Sequence, residues 1–154
     1  MYTVVRSEMK QCSWWFLAVL TLCLPSMATE QSGTIDLQQR VVTVDVFQAK
    51  QLFDLGAVFV DVRSNSEWQL GHIANALHLD FQRDFENIRT MTEIDQQTPL
   101  VIYCSSSECL LGAYASAVSA FWGYQNVFYF RAGYFGWMLQ DFPVVMNLSA
   151  RLEK

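Results

Sequence analysis

The feature that most constrains this chain is a set of short apolar runs, each closed by a polar or reactive residue. Ala57-Val58-Phe59-Val60-Asp61-Val62 is continuous and ends in an acid, Pro99 to Tyr103 stops at Cys104, and Asn126 to Phe130 stops at Arg131. Continuous runs of this length suit strands covered on both faces, as in parallel sheets. Helical patterns lie between them. Asp45 caps a helix over Val46 to Leu55, with Val46, Ala49, Leu52 and Phe53 on one face and Gly56 as its stop. Ser64-Asn65-Ser66-Glu67 has capping-box spacing and opens a short helix that ends at Gly71. Leu110 to Trp122 is the longest helix, and its small residues Gly112, Ala113, Ala115, Ser116, Ala117 and Ala120 predict close approach to a sheet.

Shorter β-type segments are Arg40 to Thr43 and Ala76 to Leu79. Asp80 to Met91, carrying Phe81, Phe85 and Ile88, reads as helical, and Thr90 to Thr98 as connection. Arg131-Ala132-Gly133 leads into a final helix through Gln140; Pro143 and the polar C-terminus then close the domain. Strands alternating with helices at short spacing predict an α/β fold, an open and mostly parallel sheet with helices on both faces.

At 154 residues the chain has room for one domain with a real core, and 52 % hydrophobic against 16 % charged residues argues against disorder. A net charge of −5 excludes a basic footprint for nucleic acid. The aromatic load, as in Phe128-Tyr129-Phe130 and Tyr134-Phe135, reads as core or sheet cover rather than a base-stacking platform.

The N-terminus reads as an export signal. Arg6 and Lys10 precede the apolar stretch Trp14 to Leu24, Pro25 breaks it, and Ser26-Met27-Ala28 offers a cleavage site after Ala28. The expected organisation is a signal peptide over 1–28, a flexible mature N-terminus over 29–39, a domain over 40–148 and a polar tail over 149–154. The expected location is the periplasm or another exported compartment, with membrane association only if the leader stays uncleaved. Cys12 and Cys23 would leave with the leader. Cys104 and Cys109 would then be the mature protein's only thiols, in an oxidising setting where a nearby pair can form a disulfide.

A thiol at the carboxyl end of a strand, just before a helix, sits where open α/β sheets place their chemistry. Amides at the start of that helix would stabilise a thiolate or a bound anion. Cys104 is therefore the candidate nucleophile. Its function requires a sulfur that is presented, ionisable and reachable.

Asp61-Val62-Arg63-Ser64-Asn65-Ser66-Glu67-Trp68, then Gly71-His72-Ile73-Ala74-Asn75-Ala76, Cys104, Gly123-Tyr124 and Ala132-Gly133 occur in one order. With these the chain, roughly from Val41 to Val144, resembles the rhodanese-like domain family. The resemblance implies a five-stranded, mostly parallel sheet with the cysteine loop at one edge of it. It implies a sulfurtransferase that passes sulfane sulfur through a persulfide on Cys104 to a thiol or cyanide acceptor. The partners so implied are a small sulfur-containing substrate or a thiol protein, with no cofactor. Asp61, Arg63 and His72 would brace loops rather than catalyse, and Trp137 resembles the aromatic common in the family's last helix.

Family members often carry glycines in a six-residue loop and an arginine at its sixth position. Here the loop is Cys104-Ser105-Ser106-Ser107-Glu108-Cys109, without glycine or cation. The backbone amides of Ser105, Ser106, Ser107, Glu108 and Cys109 would form the anion cradle, and Arg131 is a candidate replacement cation. Glu108 disfavours the thiolate, while the helix start favours it. Cys109 is a candidate resolving thiol. A redox protein built on the Cys104/Cys109 pair and a non-catalytic binding module are the alternatives. A zinc site from the cysteines with His72 and His78 lacks ligand spacing. Phosphatase chemistry lacks its arginine.

Overall fold

A computed structural model describes residues 41–146. The expected leader, the segment over 29–39 and the tail over 149–154 lie outside these residues. Among the described residues no helix is long and apolar enough to cross a membrane.

The elements follow in the order β1 (Val41–Val44), α1 (Val46–Asp54), β2 (Val58–Asp61), α2 (Asn65–Leu70), β3 (Gly71–Ile73) and β4 (Leu77–His78). Then come β5 (Leu100–Tyr103), α3 (Leu111–Phe121), β6 (Val127–Phe130), α4 (Gly133–Met138) and β7 (Val144–Met146). Five strands pair in parallel in the order β1-β6-β5-β2-β4. The expected α/β sheet is what forms.

Both helix starts expected in the first half are closed by reciprocal caps. Asp45 accepts from the amides of Phe47 and Gln48 at 2.9 and 2.8 Å, and Gln48 Oε1 accepts from the Asp45 amide. Ser64 and Glu67 form the second box at the head of α2.

Alternation along the strands splits the core into two layers. Val60, Leu100, Ile102 and Val127 pack under α3, whereas Phe59, Val101, Tyr103 and Phe130 pack with Ala49, Tyr134 and Trp137 on the other side. All four residues of β5 are buried. Burying an aliphatic side chain contributes roughly 1.5–3 kcal/mol, so two-sided burial fixes β5 in the middle of the sheet. The loop that follows it therefore lies over the centre of the sheet's carboxyl end, not beside a lateral edge strand.

Two segments depart from expectation. Asp80 to Met91 is not one helix but a run of turns followed by a 3-10 helix over Phe85–Thr90. The Asp80 side chain accepts from the Gln82 amide at 2.9 Å, and its carbonyl gathers the amides of Arg83, Asp84 and Phe85. That local competition replaces helical bonding. The chain also continues past Pro143: β7 pairs antiparallel with β3, placing His72 opposite Val145.

Candidate active site

Cys104 follows the central strand β5, and two helices hold the loop it opens. In the first turn of α3, a Cβ on Gly112 would stand 3.4 Å from the Cys104 amide nitrogen and 3.0 Å from the Tyr129 ring. Absence of a side chain there lets α3 sit on the strand end. From the other side, the amides of Tyr134 and Phe135 in α4 donate to the carbonyls of Cys104 and Ser105 at 2.9 and 3.0 Å.

Cys104 Sγ is bonded to Cys109 Sγ, with the Cα atoms 6.1 Å apart. Cys104 is 3 % exposed. In this oxidised state Cys104 is neither presented nor ionisable, because a disulfide sulfur has no proton to lose and this one is covered. The amide cradle is also altered. The Glu108 amide donates to Ser106 Oγ at 3.3 Å and the Cys109 amide to the Ser106 carbonyl at 3.1 Å, so both turn into the loop. Ser107 and Glu108 are exposed, while Ser105, Ser106 and Cys109 are half-buried.

The loop is tied to α2 by a residue that the sequence reading assigned only to a helix cap. Ser105 Oγ donates to Glu67 Oε1 at 2.6 Å, while Glu67 Oε2 accepts from Ser64 Oγ at 2.8 Å. Burial alone would raise the Glu67 carboxyl. The bonds from Ser105 and Ser64, with the charge of Arg63, outweigh it and hold the group below its ordinary value. The capping-box spacing was the sequence signal for this residue, and it reported only one of the two oxygens.

Asp61 and Arg63 form a buried pair at the carboxyl end of β2. Arg63 Nε donates to both Asp61 oxygens at 2.9 and 3.1 Å, and its Nη2 reaches Asp61 Oδ2 and, at 2.9 Å, the Gly71 carbonyl. The guanidinium lies over the Tyr134 ring, 4.3 Å from its centroid. Burial works against this cation, but the bond and charge of Asp61 raise its pKa overall. Burial pushes the Tyr103 phenol well up, and Asp61 adds to the effect, so Tyr103 is a neutral hydroxyl that accepts from the Ile73 amide.

His72 Nδ1 lies 3.2 Å from the Trp68 carbonyl, and its ring stacks on the Trp68 indole. His78 also stacks on that indole and donates from Nε2 to the Arg63 carbonyl at 2.9 Å. Both rings are thus engaged with the α2 region. Trp137 is fully buried and donates to the Pro143 carbonyl. Among the described residues no group of three or more His, Cys, Asp or Glu could hold a metal ion.

Arg131 is exposed and lines a cleft of about 730 Å³ together with Ser106, Ser107, Phe135 of α4 and Leu139 just after it. Phe135 and Leu139 are 48 and 76 % exposed, so Phe135 is a surface ring and not core. The cation lies on the serine side of the loop.

The model of the rhodanese-like domain matches residues 45–140. The chain belongs to the rhodanese-like domain family. It is 29 % identical over 143 residues to rhodanese-like domain-containing protein 17 of Arabidopsis thaliana, covering 86 % of this chain and 87 % of that protein. It is 29 % identical over 100 residues to thiosulfate sulfurtransferase GlpE of Haemophilus influenzae, covering 63 % of this chain and 88 % of that one. The fold matches the solution structure of a rhodanese-like domain from Anabaena with a TM-score of 0.61 at 18 % identity, over 71 % of this chain and 82 % of that chain. It also matches a human single-domain sulfurtransferase with a TM-score of 0.57 at 22 % identity, over 64 and 96 % of the two chains.

Proposed function

We propose that this rhodanese-like chain is a sulfurtransferase in which Cys104 carries sulfane sulfur and Cys109 resolves it. The observation that carries the reading is the bond between the two sulfurs across the loop. Family membership and the similarity to thiosulfate sulfurtransferases support the sulfur chemistry.

In the opened, reduced chain the Cys104 thiolate attacks the outer sulfur of thiosulfate, and sulfite leaves with the electron pair of the broken S–S bond. Cys104 is then a persulfide. An external thiol can take its outer sulfur, which returns Cys104 as thiolate. Alternatively, the Cys109 thiolate attacks Cys104 Sγ, expels hydrosulfide and leaves the disulfide, which a dithiol reopens by exchange. We also propose, from the leader pattern alone, that this happens in an exported compartment.

The test compares the reduced chain with Cys109→Ser after incubation with thiosulfate or an organic persulfide. Mass spectrometry is expected to find one added sulfur on Cys104 in the variant. The parent chain should release sulfide and finish as the disulfide. No sulfur on Cys104 from any donor would remove the transferase reading. Cycling of the pair with dithiols alone would then favour a redox protein, a reading that the same bond supports.

A further inference from the structure

Ser105 Oγ stands between the sulfur and a carboxylate. It lies 4.0 Å from Cys104 Sγ and 2.6 Å from Glu67 Oε1. A carboxylate can only accept, so the serine proton points at Glu67, and lone pairs are what Ser105 turns toward the sulfur. Glu67 is itself anchored, because Oε2 accepts from Ser64 Oγ at 2.8 Å and from the Ser64 amide at 3.4 Å.

We infer that Glu67 is a positioning residue for Cys104: through Ser105 it keeps most of the opened cysteine in the protonated thiol form, leaving a minor thiolate fraction for attack. The inference takes its setting from the sulfur-transfer reading above. A thiol can donate its S–H to the waiting oxygen. A thiolate would meet the negative end of the hydroxyl dipole and, behind it, a carboxylate, and both disfavour it. The disulfide carries no charge and tolerates the same surroundings.

The other groups facing Glu67 do not cancel this. Arg63 favours the charged form of Glu67, so it keeps the carboxylate in place, while its guanidinium is bonded to Asp61 and not to the sulfur; Tyr103 is neutral. Tyr134 lines the small cavity that Arg63 and Glu67 share and lies under the guanidinium. Glu108 adds a second negative charge from the loop but is exposed and screened, and the exposed Arg131 stands at the cleft beyond Ser106. The loop itself carries no cation to offset the Ser105–Glu67 arrangement. Opening needs an external dithiol: it delivers two hydrogens to the two sulfurs and leaves as its own cyclic disulfide.

The experiment uses the full chain carrying Cys109→Ser, reduced, and follows the rate of Cys104 alkylation by iodoacetamide against pH. Glu67→Gln removes the charge, and Ser105→Ala removes the oriented hydroxyl. Each is expected to move the midpoint down by about half to one pH unit. A purely structural role would change rates without moving the midpoint. Ser105→Ala leaves the Ser64 cap intact and carries the test alone if Glu67→Gln does not fold. A midpoint that stays or rises overturns the inference. No sulfur donor enters the measurement, so its failure leaves sulfur loading untouched. A fallen midpoint in a chain that takes no sulfur sinks only the transferase reading.

Discussion

Gly133 rests on the main-chain carbonyl of Cys104. A Cβ at Gly133 would overlap that oxygen and stand 2.9 Å from the Ser105 carbonyl carbon. Its φ is +62°, a region where L side chains are strained. The close contact lets α4 donate its first amides to the cysteine loop. Gly133→Ala therefore combines backbone strain with overpacking and is expected to cost about 2–4 kcal/mol in urea unfolding. Retained stability would mean that α4 can move off the loop freely.

The buried Asp61–Arg63 pair predicts an asymmetry between single and double variants. Asp61→Ala leaves a guanidinium that is buried, lacks its carboxylate and still faces the Gly71 carbonyl. The expected loss is about 3–5 kcal/mol. Adding Arg63→Met to that variant removes the stranded charge and should recover a good part of the loss, again by urea unfolding. Equal stability of the single and double variants would show that water reaches the guanidinium.

Elements dictated by local chemistry were legible in the sequence, and those dictated by distant pairing were not. The Asp45 and Ser64 caps, the continuous run into Asp61 and the Leu100–Tyr103 strand carry their signals within a few residues of themselves. β3 and β7 are three residues each, and their pairing joins Gly71 to Met146. Neither segment has enough periodicity to declare itself. In Phe81, Phe85 and Ile88 a helical spacing was present, but Asp80 had already captured the local amides. At the site, Cys104 and Cys109 could be named from sequence, whereas their bond depended on the fold of the loop. The reach of Glu67 to Ser105, across 38 positions, likewise needed the strands in register.

The disulfide should stabilise the domain modestly because the loop it closes is short. The chain-entropy relation for a loop of about six residues gives roughly 2 kcal/mol. Unfolding with and without a reductant is expected to differ by about that amount, and Cys109→Ser should be insensitive to the reductant. A much larger difference would mean that opening the loop also releases α3 and α4.

Glu67 predicts an acid limb in the stability profile. Its carboxyl is held below the ordinary 4.5 in the folded chain, so the folded state binds fewer protons than the unfolded one. The associated stability is fully present above about pH 5 and is lost as pH falls through the folded value. Glu67→Gln should flatten this part of the curve in urea melts between about pH 3 and 6 while leaving its shape at neutral pH. An unchanged acid limb would assign it to other carboxylates.

Arg131 is the remaining cation of the loop's surroundings, and its exposure limits what it can do. It shares the cleft with Ser106 and Ser107 but stands in solvent, where one charge contributes about 1 kcal/mol or less. Under the proposed sulfurtransferase function, Arg131→Ala is therefore expected to raise KM for thiosulfate by about fivefold at most, with kcat little changed. The effect should shrink at high salt. Arg131→Lys should retain most of the activity, since a point charge suffices to attract an anion where no bidentate fork is needed. A neutral sulfur donor should show almost no difference between these variants. An equal penalty with the neutral donor, or a loss confined to kcat, would mean that Arg131 shapes the loop and does not attract the anion.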